Sequence, residues 1–311
     1  MSAPITLTAL REVVEPIMSE NFDGLYDQRR DEWKTIFNSF EGEKRSSHVE
    51  TVLYGFGNAP ITGDGEPLSY DTGGTQWSIN FPYDQVALGF GISLMAMEDS
   101  EHIDLAQKFS KHLAQSMYET EELLAANILN YGFNNSYTQL GGDSKPLFSA
   151  THAMANGNTF SNVTTPAALS MTSLEDMLIQ ISLATDAKGK RIRLNPKKLV
   201  TSPYLRFQNQ VVLNSILNPD TPSSNQINPI STMKALEGGD QIITRLTSPS
   251  AWFVATDLNS ASDRGLVHIN RRKLTRSTQE DFQTSTVQYK ASMRYRFGWI
   301  DPRGMYGNLG Q

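Results

Sequence analysis

The stretch Val287-Gln-Tyr-Lys-Ala-Ser-Met-Arg-Tyr-Arg-Phe-Gly-Trp299 alternates apolar and polar side chains without a break. Val287, Tyr289, Ala291, Met293, Tyr295, Phe297 and Trp299 share one face, and Gln288, Lys290, Ser292, Arg294, Arg296 and Gly298 share the other. A period of two sends successive side chains to opposite sides of a strand, so this run predicts a β-strand with one buried face. At about 3.3 Å per residue it spans roughly 40 Å. Ordinary strands are about half that long.

A second element of unusual length lies upstream. Residues 92–131 contain no glycine or proline, and Ile103, Ala106, Phe109, Leu113, Met117, Leu124, Ile128 and Tyr131 recur at steps of three, four and seven. This spacing predicts an amphipathic helix over Ser100–Tyr131, about 48 Å long. Asp99 or Ser100 can cap it, and Glu98, Asp99, Glu101 and Asp104 suit the positive end of its dipole.

Ahead of the helix, residues 46–95 read as a long hairpin. Trp77, Ile79 and Phe81 alternate with polar neighbours, Val86, Leu88, Phe90 and Ile92 continue the period, and glycines and prolines cluster within Pro60–Gly74. That tip has too few apolar residues to pack on itself. Either it is disordered or something outside the subunit receives it. Residues 1–45 carry helical spacing over Leu7–Met18 and again over Arg29–Phe40, where Trp33, Ile36, Phe37 and Phe40 line up. They form either an arm with helical pieces or the first helices of a globular domain.

Residues 171–260 read as a small α/β unit. Thr172 and Glu175 form a capping box before the helix Leu174–Ala184, and Lys198–Thr201 is a short buried strand. Ser202-Pro203 opens a helix over Tyr204–Leu217, and strands are expected over Gln241–Leu246 and Ala251–Thr256. The fold class is α+β.

The chain has 311 residues, no cysteine, 14 Phe, 11 Tyr and 4 Trp. It is aromatic enough to exclude a disordered chain and long enough to hold a core without metal or disulfide. Disulfide scaffolds, thiolate metal sites and cysteine nucleophiles are excluded. A net charge of -6 argues against a protein that clamps phosphate backbones as a whole. No run of 18 apolar residues and no signal-peptide pattern occurs, which implies a protein made and kept in a cytoplasm, with no membrane contact. The glycosylation pattern at Asn134 and Asn162 is then fortuitous.

The search for chemistry finds little. There is no phosphate-binding GxxxxGK[ST] loop or GxSxG elbow, and Gly55-Phe-Gly-Asn-Ala-Pro60 lacks the third glycine of a dinucleotide fingerprint. The five histidines (48, 102, 112, 152, 268) are dispersed and give a metal site no support. Glu119, Glu121 and Glu122 read as a solvated helix face, as do the acids at 98–104. Lys188, Lys190, Arg191, Arg193, Lys197 and Lys198 form a basic cluster without interleaved aromatics, expected to meet solvent or a neighbouring subunit rather than nucleic acid. Arg271, Arg272, Lys273 and Arg276 form a second group. No catalytic, cofactor-binding or metal-ligating residue is assigned, and the chain is not expected to be an enzyme.

The order of elements (arm, long hairpin, long helix, α/β lobe, long strand) resembles the major capsid protein of tailed bacteriophages, the Johnson fold. Gly141-Gly-Asp-Ser-Lys-Pro-Leu-Phe-Ser-Ala-Thr-His152 with Asn156-Gly-Asn158 is similar to the segment after the spine helix in Mu-like head subunits. Leu199-Val-Thr-Ser-Pro-Tyr-Leu-Arg-Phe207 resembles the entry to the axial lobe, and Arg294-Tyr-Arg-Phe-Gly-Trp-Ile-Asp-Pro-Arg-Gly-Met-Tyr-Gly-Asn308 the final strand and tail.

The resemblance implies an N-terminal arm (1–45), an E-loop hairpin (46–95), a peripheral domain (96–170 and 265–311) with the spine helix, and an axial domain (171–264). It further implies hexamers and pentamers of an icosahedral shell around double-stranded DNA, assembled in the host cytoplasm, with contact to the packaged DNA that is not sequence-specific. The shell would associate with a portal and, optionally, decoration proteins. No scaffolding segment precedes the arm, so a separate scaffold protein is expected. No lysine lies between Lys44 and Lys108, so the hairpin cannot supply the amine of an inter-subunit cross-link. The competing readings are an encapsulin-like compartment and a soluble α+β enzyme.

Overall fold

The computed structural model describes residues 16, 19–26, 31–93, 102–137, 139–217, 227–261, 265–281, 283–284 and 286–311. Its organising feature is a four-stranded sheet in the order β1 (Asn38–Glu41), β10 (Leu266–Asp281), β11 (Thr286–Trp299), β4 (Asp84–Ser93). The alternating stretch forms β11 (Thr286–Trp299), with Tyr289, Ala291, Met293, Tyr295, Phe297 and Trp299 buried on one face. Beside it runs β10 (Leu266–Asp281), antiparallel from Leu266↔Trp299 to Asp281↔Thr286. β4 (Asp84–Ser93) takes the other side of β11, and β1 (Asn38–Glu41) lies parallel to β10. Gly298 breaks the outward polar pattern for a steric reason. A Cβ there would stand 2.6 Å from the Phe81 ring, so only glycine lets the hairpin root lie against the ribbon.

The inward face of β11 packs on the long helix His102–Asn130 through Leu113, Met117, Ala125, Ile128 and Leu129. The helix is about 43 Å long at 1.5 Å per residue. The caps expected at Asp99 or Ser100 lie outside the described residues. A separate hairpin, β2 (Ser47–Tyr54) with β3 (Gly74–Pro82), pairs from Ser47↔Pro82 to Tyr54↔Gly74. Val52, Trp77, Ile79 and Phe81 anchor its base against Val267, Ile269 and Ile300, and Trp77 Nε1 donates to the Ile300 carbonyl at 3.2 Å. Within the stretch read as one hairpin, β4 therefore belongs to the main sheet.

A second sheet, β12-β9-β7-β8, comprises β12 (Met305–Asn308), β9 (Trp252–Thr256), β7 (Pro196–Thr201) and β8 (Asp240–Ile242). Every residue of β9 is buried, because helices cover one face and the first core meets the other. Leu199, Trp252 and Val254 pack with Leu174, Met177 and Ile181 of the helix Met171–Ser182 and with Val212 of the helix Arg206–Asn214. The final strand, β12, thus crosses from the ribbon side of the molecule into this lobe.

Several sequence-based expectations need local correction. Thr172 and Glu175 do not cap the first lobe helix. It starts at Met171, three residues earlier, and is capped by Ser170: the Ser173 N–H donates to Ser170 Oγ and the Ser170 N–H to Ser173 Oγ. Arg29–Phe40 is not a helix: a single 3₁₀ turn, Trp33–Thr35, leads into β1, whose backbone is satisfied by β10 instead. The helix expected over Tyr204–Leu217 is a 3₁₀ turn at Pro203–Leu205 followed by Arg206–Asn214, and the strand expected over Gln241–Leu246 ends at Ile242. The turns expected over Leu7–Met18 lie outside the described residues, apart from Pro16.

Candidate functional site

The acids read as a solvated helix face are not one. Glu121 and Glu122 are 4% and 1% exposed. Residues 19–26 and 31–40 lie across the long helix and cover them. Glu121 accepts from Tyr26 OH at 3.2 Å, and Glu122 accepts the backbone N–H of Glu32 at 2.8 Å. Burial pushes the Glu122 carboxyl up to about 7. One turn back, Glu119 takes a bidentate pair from Arg245 (2.6 Å), which also reaches Glu32 at 3.3 Å. Long helix, N-terminal segment and the loop after β8 meet at this cluster. No sequence signal announces the crossing segment.

His48, His152 and His268 are held by partners within the chain, and His112 is exposed on the long helix. His152 is fully buried between Asp143 (2.7 Å) and the Leu147 carbonyl (3.2 Å), stacked on Phe160. His268 Nδ1 pairs with Ser39 Oγ at 2.9 Å, and its ring lies among Trp33, Tyr295 and Phe297. His48 pairs with Glu50, two residues along β2, at 3.2 Å, a spacing the sequence reading passed over. Among the described residues no group of three or more His, Cys, Asp or Glu is placed to hold a metal ion. No helix among them is long and apolar enough to cross a membrane. Asn162, one of the glycosylation matches, is fully buried.

The basic groups bind the chain to itself. Lys188 pairs with Asp71 of the hairpin at 3.0 Å and lies over the Tyr54 ring, and Lys198 Nζ donates to the Thr35 carbonyl at 3.3 Å. The Gly57 N–H, Lys188 and the Thr72 N–H together hold the exposed Asp71 carboxyl down at about 2. On β10, Arg276 pairs with Asp23, and Lys273 with Glu41. The expectation that the first cluster serves only solvent or neighbours is corrected by Lys188 and Lys198, which tether the hairpin and the N-terminal segment of the same chain.

Two surfaces remain open. Beyond its anchored base the hairpin exposes Phe56, Ile61, Leu68 and Tyr70, with Ile61 as accessible as in a free chain. Apolar side chains held on an extended loop and left in water mark a contact site. On the lobe of the second sheet, Tyr204 and Phe207 are 73% and 83% exposed and Ile179 and Leu183 about half exposed.

Residues 84–308 match the family described as phage capsid protein. Among solved structures, the capsid of cyanophage P-SCSP1u is similar at 10% identity and a TM-score of 0.58, over 89% of this chain and 86% of that one. The capsid of a native GTA particle is similar at 14% identity and a TM-score of 0.58, over 90% of each chain. The structure of Microbacterium phage Oxtober96 is similar at 11% identity and a TM-score of 0.54, again over 90% of each. No curated protein matches in sequence. At such identities the structural likeness is one of fold, the α+β capsid fold with its long helix and ribbon. With the family match running from β4 through β12, the chain belongs to the phage capsid proteins.

Proposed function

We propose that this chain is the major head subunit of a tailed phage of the Mu-like group, self-assembling into hexamers and pentamers of an icosahedral shell around double-stranded DNA. It is a structural component of the virion, assembled in the host cytoplasm, and not an enzyme. The observation that carries this reading is the hairpin: rooted at Trp77 and Phe81, it presents Ile61, Leu68 and Tyr70 bare at its far end, a surface suited to a neighbouring subunit. The proposed parts are the arm (1–45), the E-loop (46–95, whose return strand β4 enters the main sheet), the peripheral domain (96–170 and 265–311, whose β12 enters the lobe sheet) and the axial domain (171–264). A scaffold protein, a portal and decoration proteins are the proposed partners, and contact with the packaged DNA is not sequence-specific. Electron microscopy of the purified protein, alone and with a co-expressed scaffold, tests the reading. Closed shells of uniform size are expected, and uniform small particles under both conditions would overturn it. Shells that package protein cargo and no DNA in the producing host would favour an encapsulin-like compartment instead.

A further inference from the structure

The axial lobe carries two dissimilar surfaces, and their chemistry says what each should meet. Phe207 and Val211 stand on the outer side of the helix Arg206–Asn214, whose inner side buries Asn209 and Val212, and Tyr204 is exposed in the 3₁₀ turn just ahead of it. Arg206 lies beside them, exposed, and is the one charged residue between 203 and 217. The surface is aromatic and cationic.

The second surface is a cavity of about 630 Å³ between the helix Met171–Ser182 and β12, with Phe160, Val163 and Tyr306 in its wall and the half-exposed Ile179 and Leu183 on its helix side. Its volume is in the range of pockets that enclose a ligand-sized group. Two charged residues line it, Asp176, which is exposed, and Arg303, which is buried and paired with Asp301, and the helix carries Glu175 and Asp176 but no basic residue. Among the described residues neither Asp176 nor Arg206 has an ion-pair partner.

The topology sets these surfaces apart. In the sheet order β12-β9-β7-β8, the cavity lies over the β12 edge through Tyr306 and Asn308. The aromatic helix lies toward the other edge, where Asn209 Nδ2 donates to Thr201 of β7 (2.7 Å) and Asp240 of β8 (3.2 Å). Neither surface complements itself: a cationic knob against its own copy repels, and a cavity against a cavity leaves a void. Each complements the other. Such a pair makes a head-to-tail contact, which closes into a ring where its rotation divides a full turn and otherwise runs on as an open filament.

We propose that the partner of each surface is a second copy of this chain, with the Tyr204–Phe207–Val211 knob of one subunit seated in the Ile179–Leu183 cavity of the next and Arg206 paired with Asp176. This rests on the shell reading and names the lobe-to-lobe contact within a capsomer. An aromatic anchor in a pocket with a charged pair at its rim is the usual make-up of an energetically dominant contact.

The absence of cysteine allows a clean test. Ile179→Cys and Phe207→Cys, introduced together and oxidised in assembled particles, should give a ladder of disulfide-linked species from dimer up to a closed ring. Either substitution alone should give monomer. A dimer from Phe207→Cys alone would mean that the knob meets its own copy and would overturn the proposal. Charge reversal supplies a second readout at exposed positions where folding is not at stake. Asp176→Arg or Arg206→Asp alone should lower shell yield about tenfold or more, since like charges at a contact cost several kcal/mol, and the two combined should restore it. Normal yield from both single variants, or no recovery in the double, would overturn the contact while leaving the shell reading intact. If the unaltered chain forms no shells, it is the shell reading that fails, and this contact with it.

Discussion

Glu122 of the long helix accepts the backbone N–H of Glu32 at 2.8 Å, while its Oε2 is buried with no hydrogen-bond partner among the described residues. A carboxylate so placed favours its proton. Burial is the main cause of its rise from 4.5 to about 7, the Glu32 N–H and Arg245 oppose it, and the charges of Glu32 and Asp31 add to it. The folded chain therefore holds this proton more tightly than the unfolded one. The stabilisation is full below about pH 4.5 and is lost as pH rises through about 7. Glu122→Gln keeps an acceptor for the Glu32 N–H and removes the titration. The unaltered protein should lose, between about pH 5 and pH 8, on the order of 2–3 kcal/mol that the variant does not lose. Parallel pH profiles of Tm for the two proteins would rule this out.

Deleting residues 60–73 should leave the subunit folded. The hairpin's buried contacts lie at its base, in Val52, Trp77, Ile79 and Phe81, and the tip contributes exposed side chains and the Asp71–Lys188 pair, which solvent screens to a small contribution. The Tm of the isolated subunit should move by no more than a few degrees, the effect of about 1 kcal/mol or less. Closed shells should disappear from electron micrographs. A fall in Tm as large as that of a core truncation would show that the tip stabilises its own subunit.

Assembled shells should separate into monomers on boiling in detergent. The hairpin has no lysine, and the nearest, Lys44 and Lys108, lie outside both of its strands. Covalent species that survive boiling would require an amine from elsewhere, and peptide mapping would identify it.

Asn162 should be among the costliest single polar positions. Its Nδ2 donates to the Leu147, Pro302 and Met305 carbonyls at 2.7–3.1 Å, and its Oδ1 accepts the Ser149 N–H at 2.9 Å. It ties the segment after the long helix to the crossing between β11 and β12. Asn162→Ala leaves the Ser149 N–H without its acceptor and takes a donor from three carbonyls, two of which keep another (His152 for Leu147, the Met305 N–H for Pro302), and should cost about 1–3 kcal/mol in chemical denaturation. A loss below about 1 kcal/mol would mean that water replaces the amide without penalty.

What the sequence made legible was whatever repeated with a long, clean period. β11 and the long helix were read within one or two residues, and the hairpin tip was placed between its true strands. β10 was not read, although it is the longest strand. Its alternation is broken by register shifts at Asn270/Arg272 and Arg272/Thr275, and from Arg271 onward it is mostly charged and polar. β1 was read as helix because Trp33, Ile36, Phe37 and Phe40 share a helical spacing, yet its strand state is imposed by β10, more than two hundred residues away. Glu121 and Glu122 looked solvated for a related reason: what buries them is distant in sequence. The two lobe surfaces were invisible as a pair, since their relation depends on sheet order.

The placement of β12 bears on how the molecule is made. β9 is synthesised with one edge unsatisfied, and its partner Met305–Asn308 emerges only after the whole β10–β11 ribbon has followed it from the ribosome. Until then Tyr306 is missing from the lobe core and from the cavity wall. Nascent subunits therefore cannot offer a finished lobe to one another, and association waits until the ribbon is in place. For the same reason a fragment cut at 171–264 should not behave as an autonomous domain. It would keep the helices and lose the strand that seals the edge of β9, a bare edge of the kind that recruits foreign strands.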